Sequence, residues 1–185
     1  MSGQRRMRLT GLHHLTAICR DLDRTTAFYR DLLGLKLVRE GASDDDPDAR
    51  HFWFSAGDGA PGTLISFLEY PKLEPGVVGV GSIQHFALAV DSAEEQEAWR
   101  DYLRGRGVEA SDVFERGGFR SIYLRDPDGH IVEIATRPGS APGAPLGASG
   151  GGSGASPAGP PRAEEPDAGG GAAGPPTEPG ASTSP

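Results

Sequence analysis

The chain carries its own fold twice. Leu12-His13-His14-Leu15-Thr16-Ala17-Ile18 lines up with Ile83-Gln84-His85-Phe86-Ala87-Leu88-Ala89, an offset of 71 positions. After a one-residue slip, Tyr29-Arg30-Asp31 and Leu33 match Trp99-Arg100-Asp101 and Leu103. Gly62-Thr63-Leu64-Ile65-Ser66 matches Gly129-His130-Ile131-Val132-Glu133, so the unit ends repeat as well. Each unit runs about 60 residues, long enough for one supersecondary module that needs a neighbour to bury its apolar face. Periodicity in each reads as strand, helix, then three short strands. Strands are predicted at 12–19, 51–55 and 64–70 in the first unit and at 83–90, 119–125 and 130–136 in the second. Helices are predicted at 23–33 and 93–104, with Asp21 and Asp91 as candidate N-caps and Ser92 with Glu95 as a capping box. Gly34 and Gly105 are the expected left-handed terminators. Phe28, Leu32 and Leu35, then Trp99 and Leu103, supply the core stripes.

The expected fold class is therefore α+β: two tandem βαβββ modules, about 9–71 and 82–138, forming one cupped mixed sheet with the helices outside and a cleft between the halves. Residues 1–8 are expected to be a flexible N-terminus. Residues 139–185 hold 13 Gly, 10 Pro and no aromatic side chain. Such a tail cannot bury enough apolar surface to offset chain entropy and is expected to be disordered. The chain has no run of apolar residues long enough to span a bilayer and no apolar signal core after its basic start. The single Cys19 excludes an internal disulfide framework and a Cys-rich zinc site, and suits a reducing cytoplasm. A formal net charge of −8 argues against nucleic acid as the main partner, and no membrane partner is expected.

Strand alternation then sorts the side chains. His14 shares a face with Thr16 and Ile18; His85 shares one with Ala87 and Ala89, while Phe86, Leu88 and Val90 point to the helix side. Small residues beside each histidine make a pocket floor. Glu133 shares its face with Ile131 and Ala135, and an ionised carboxylate there costs several kcal/mol if buried unpaired. A bound cation offsets that cost, and His14, His85 and Glu133 then form a two-His-one-carboxylate set with open positions, the pattern of non-haem Fe(II) oxygenases. Plainer readings stand beside this one: strand histidines are commonly structural, and a glutamate near a domain edge is commonly solvated.

The segment Asp-Leu-Asp-Arg-Thr-Thr-Ala-Phe-Tyr-Arg-Asp-Leu-Leu-Gly-Leu (residues 21–35), with the paired His strands, resembles the vicinal oxygen chelate superfamily of glyoxalases, extradiol dioxygenases and bleomycin and fosfomycin resistance proteins. The resemblance covers residues 9–138 and implies paired βαβββ modules with a divalent metal in the cleft. Its ligand positions fall on His14, Ser66, His85 and Glu133. Ser66 departs from the carboxylate usual in glyoxalase-like members, which leaves three ligands, as in the dioxygenase branch. Ile-Tyr-Leu-Arg-Asp-Pro-Asp-Gly (residues 122–129) through Glu133 is similar to the extradiol signature, and the motifs around His13-His14 and at 61–71 resemble hydroquinone ring-cleaving dioxygenases. That resemblance implies Fe(II) as cofactor, with Mn(II), Ni(II) or Zn(II) as the other candidates. It also implies His13, Arg116 and Tyr123 as catalytic residues and Thr16 as a substrate contact. Residue by residue, plainer readings remain: Tyr123 as core, Arg116 as a loop charge, and His13 on the face opposite His14 unless the strand twists. His51 and His130 read as structural or exposed, and Glu69 lies on the strand face opposite Ser66.

The function expected from these residues is metal-dependent cleavage of an aromatic diol or hydroquinone with O₂. The alternatives are a glyoxalase-like metal-dependent isomerase or lyase and a metal-free module that sequesters a planar drug. A small aromatic substrate and O₂ are the expected partners. A homodimer is also expected, and the residues leave open whether its copies exchange modules.

Overall fold

A computed structural model of the protein describes residues 8–116 and 118–136. The expectations for the N-terminus and for the tail fall outside the described residues, Arg8 apart. The α+β class and the βαβββ repeat are both present. The first unit comprises β1 (His14–Cys19), α1 (Leu22–Thr26, continued by a wider turn over Ala27–Leu32), β2 (Lys36–Arg39), β3 (His51–Ser55) and β4 (Leu64–Glu69). The second comprises β5 (Phe86–Ala89), α2 (Ala93–Gly105), β6 (Phe114–Glu115), β7 (Arg120–Arg125) and β8 (Ile131–Thr136). The strands form two four-stranded sheets, ordered β1-β4-β3-β2 and β5-β8-β7-β6, where the sequence suggested a single continuous one. In each, the first strand runs parallel to the last and the other pairings are antiparallel.

Local chemistry sets the helix ends. Asp21 caps α1, its carboxylate accepting from the N–H groups of Asp23 (2.8 Å) and Arg24 (3.1 Å), and Glu69 accepts from Leu22 N–H at 2.8 Å. Three amide donors without helical partners are thereby satisfied. The Leu33 N–H reaches back to Phe28 C=O at 3.0 Å, a five-residue step that widens the last turn, and both Phe28 and Tyr29 are buried. Gly34, at φ 76°, then ends the element in the left-handed region. In α2, Ser92 accepts from Glu95 N–H and the Glu95 carboxylate accepts from Asp91 N–H, both at 3.1 Å. Gly105 is inside this helix; the left-handed glycine is Gly107, two residues later, because Arg106 completes the last turn.

Tyr29, Phe54, Phe67, Leu103, Ile122 and Val132 are buried on the helix side of the sheets. Each large apolar side chain removed from water contributes about 1.5–3 kcal/mol before entropy is counted. Gln96 is also fully buried, its amide donating to Arg120 C=O (2.9 Å) and Ile134 C=O (2.8 Å), which fixes α2 on its sheet.

The two modules dock through these same helix-side surfaces. Asp126, in the Asp126-Pro127-Asp128-Gly129 turn between β7 and β8, accepts from Tyr29 Oη at 2.9 Å and from the N–H groups of Asp128 (3.0 Å) and His130 (2.8 Å). Arg24 donates to Pro127 C=O, Arg20 N–H donates to Asp128, and Phe67 meets the His130 ring edge-on. His130 Nδ1 lies 2.9 Å from Asp126 Oδ2, and that carboxylate raises the His130 pKa above its ordinary value of 6.5. A histidine whose pKa is higher in the folded state contributes its stability fully below the unfolded value and loses it as pH rises through the folded one. The thermal midpoint should therefore fall between about pH 6 and 8, and fall less in His130→Gln. Calorimetry across that range checks this; equal slopes would remove His130 from the account.

Candidate metal and substrate site

Register assigns every strand residue a face. In the first sheet, Thr16 pairs with Ser66 and Ser66 with Trp53, while His51 pairs with Leu68. His14, Thr16, Ser66, Trp53 and His51 therefore share the face turned away from α1. In the second sheet, Ala87 pairs with Glu133 and Glu133 with Tyr123, while Ser121 pairs with Phe114. His85, Glu133, Tyr123, Ser121 and Phe114 accordingly share the face turned away from α2.

On that second face Glu133 is 3% exposed, a carboxylate that must be satisfied locally. One oxygen accepts from the Ser121 hydroxyl and the other lies 2.8 Å from His85 Nε2. The Tyr123 ring packs edge-on to His85, with 5.8 Å between centroids. Arg116 lies over both Phe114 (4.9 Å) and Tyr123 (5.7 Å), so its charge is held on this face rather than left free on a loop. A carboxylate and an imidazole whose donor atoms converge, backed by a hydroxyl that orients the carboxylate, fit two positions of a divalent-metal site.

The first face carries the remaining residues. His14 packs against Trp53, with 4.8 Å between ring centroids. His13 precedes the first residue of β1, so strict alternation does not govern it, and its Nδ1 approaches His14 Nδ1 at 2.9 Å. The Thr16 and Ser66 hydroxyls are hydrogen-bonded to each other at 2.9 Å, so a neutral pair stands where the sequence lacks a carboxylate. Glu69 faces the helix side, where it holds α1 and meets Arg50. Two ring nitrogens on this face, His51 Nε2 and Trp53 Nε1, are buried without a hydrogen-bond partner. Burial and the Arg39 charge push His51 below its usual pKa, which keeps the ring neutral.

The structure thus joins His85, Glu133, Tyr123 and Arg116 on one sheet and His13, His14 and Thr16 on the other. Among the described residues, no group of three or more His, Cys, Asp or Glu side chains that could hold a metal ion is found; His14 is on the first sheet and the His85–Glu133 pair on the second. Ser121, Trp53 and His51 were missing from the sequence-based site. Their signal was parity: Ser121 lies two residues before Tyr123, and Trp53 two after His51.

The chain thus has two modules, with a His at the start of each and a buried Glu in the last strand of the second. The profile of the glyoxalase/bleomycin resistance protein/dioxygenase superfamily matches residues 11–134. The chain belongs to this superfamily. Among its superfamily relatives is MhqA of Bacillus subtilis (strain 168), a candidate ring-cleaving dioxygenase, 30% identical over 145 residues that cover 78% of this chain and 46% of MhqA. A solved structure of a candidate dioxygenase from Bacillus subtilis superposes with a TM-score of 0.64 at 33% identity, covering 69% of this chain and 41% of that one. A mutant of the superfamily's fosfomycin resistance protein FosX from Listeria monocytogenes, solved with Mn(II) and 1S,2S-dihydroxypropylphosphonic acid, superposes at 0.52 with 26% identity, covering 69% of this chain and 92% of that one. The chain thus spans less than half the length of the Bacillus proteins. No helix among the described residues is long and apolar enough to cross a membrane.

Proposed function

We propose that the protein is a metal-dependent, Fe(II)-type dioxygenase that opens the ring of an aromatic diol or hydroquinone with O₂, working as a homodimer in a reducing cytoplasm. The observation that carries this reading is the grouping of His85, Glu133, Tyr123 and Arg116 on one sheet face, in a chain 30% identical to a candidate ring-cleaving dioxygenase. His14, His85 and Glu133 are the proposed metal ligands. Bound there, Fe(II) would supply Lewis acidity toward a phenolic oxygen and a path for electrons from the substrate to O₂. Mn(II), Ni(II) and Zn(II) suit the same donors to different degrees.

The chain's own groups do the rest. Arg116 pairs with the anionic oxygen of the substrate and fixes the ring's orientation. The Tyr123 hydroxyl, beside Glu133 in the neighbouring strand, hydrogen-bonds the substrate oxygen and moves a proton on or off it. His13 serves as a second proton carrier and Thr16 as a hydrogen-bonding contact. Trp53 supplies an aromatic wall against which a planar substrate stacks.

The test is anaerobic purification, metal analysis and addition of Fe(II), followed by O₂ consumption and ring-fission absorbance with catechols and hydroquinones. Uptake of one O₂ per ring opened, strictly dependent on Fe(II), is the expected result. Ser66→Ala should leave metal content unchanged, because Ser66 is engaged with Thr16. One bound metal without O₂ consumption replaces the reading with a glyoxalase-like isomerase, and tight aromatic binding without metal replaces it with a sequestering module.

A further inference from the structure

We infer that His51, Trp53 and Arg39 form a subsite for a carboxylate carried on the substrate ring, which makes the substrate class a carboxylated aromatic diol. The inference rests on the ring-opening reading above and extends it from the metal end of the site to the other end of the substrate.

Three observations lead to it. First, two hydrogen-bonding ring nitrogens stand idle side by side. His51 Nε2 and Trp53 Nε1 are both buried without a partner, on residues two apart in β3 whose ring centroids are 5.1 Å apart. An indole N–H only donates, and a neutral imidazole is free to place its one N–H at Nε2. The neighbouring hydroxyls do not serve them, because Thr16 and Ser66 are bonded to each other at 2.9 Å. Buried donors left unpaired are costly, and an acceptor brought by a ligand removes that cost.

Second, the charge beside them is positive. Arg39 pairs with Trp53 across β2 and β3, and its charge acts on the His51 ring. The guanidinium meets Asp44 at 3.1 Å in a pair more than half exposed on both sides, a contact worth little and open to exchange. Two N–H donors and a cation on one sheet face match the two oxygens and the charge of a carboxylate. A hydroxyl or halogen substituent uses neither the second donor nor the charge.

Third, the spacing suits one aromatic ring. His14 to Trp53 and Trp53 to His51 are steps of 4.8 and 5.1 Å between ring centroids, so the idle pair stands about one substrate's length from the proposed ligand His14. Between the ends, the Trp53 indole gives the ring an apolar wall, and Ile18 and Leu68 lie in register beside His51.

The experiment uses the full chain and three probes: benzoate, which has the carboxylate and no diol; hydroquinone, which has the diol alone; and 2,5-dihydroxybenzoate, which has both. Calorimetry on the metal-free chain reads benzoate binding, Fe(II)-dependent O₂ uptake reads kcat/KM for the two diols, and circular dichroism confirms that each variant is folded. Benzoate should bind the parent and lose about 10- to 100-fold in affinity in His51→Phe and in Trp53→Phe, each of which keeps a ring and removes an N–H donor. His51→Gln, which restores a side-chain N–H, should recover most of that loss. The parent's kcat/KM should favour 2,5-dihydroxybenzoate over hydroquinone by about tenfold or more, and the ratio should fall toward one in the two phenylalanine variants. Equal kcat/KM for the two diols, a parent that does not bind benzoate, or benzoate affinity unchanged in both variants overturns the subsite and leaves the ring-opening reading standing. Benzoate binding that falls in the variants, with neither diol opened, keeps the subsite and overturns the ring-opening reading.

Discussion

Glu133→Ala is expected to abolish the proposed metal binding and ring opening together, whereas Ser121→Ala should lower metal affinity by about 10- to 100-fold while leaving the chain folded. The contrast follows from the positions of the two side chains. Glu133 is a buried carboxylate on the second site-bearing face, and its oxygens meet His85 and the Ser121 hydroxyl. Removing it leaves His85 without its partner and the site without its anionic donor. Ser121 touches no ligand atom except that carboxylate, so its loss frees Glu133 to rotate without removing it. A freed carboxylate still binds, but pays for ordering that the hydroxyl had supplied in advance. Titration with Mn(II) by calorimetry separates the two outcomes. Equal metal loss in both variants would make Ser121 indispensable to the fold of β7 and not an orienting group, and unchanged affinity in Glu133→Ala would remove Glu133 from the ligand set.

Asp126→Ala is expected to destabilise the chain by about 3–5 kcal/mol, a large share of the stability of a domain this size. Its carboxylate is buried and accepts from Tyr29 Oη and from the amides of Asp128 and His130, with the His130 ring at 2.9 Å. Alanine strands all of these groups at the contact between the modules. Tyr29→Phe is the milder probe: it removes one hydrogen bond, leaves Asp126 its other partners, and should cost about 1–2 kcal/mol. Urea denaturation measures both. Since this cluster is on the helix side of the sheets, Mn(II) bound per folded chain should be unchanged in Tyr29→Phe. A fall in metal content at constant folded fraction would show that the cluster reaches the site.

Much of the fold was legible because it is local. The repeat fixed two modules, alternation put His14 with Thr16 and His85 with Ala87, and the Asp21 and Ser92 caps are where the side chains predicted them. Glu133 stood out by being costly among apolar neighbours, and it is buried and satisfied as that cost requires. The terminator of α2 was misplaced by two residues because Gly105 is tolerated inside a helix, and only backbone geometry identifies Gly107 as the left-handed one. Ser121, Trp53 and His51 were not selected because parity gives only a side within each strand; which strands lie beside His14 and Glu133 depends on pairings between residues far apart in sequence.

The sequence by itself determined the module, its duplication and the side of each strand on which the chemistry-bearing residues stand. The tertiary structure decided how the modules meet. Both modules carry an apolar helix side and a second, mixed face, and composition does not choose which pair of faces closes within the chain. Tyr29 and Asp126, 97 positions apart, meet there in a buried hydrogen bond beside the Arg20–Asp128, Arg24–Pro127 and Phe67–His130 contacts. The helix sides pack together, which leaves His14 on one sheet and His85 with Glu133 on the other.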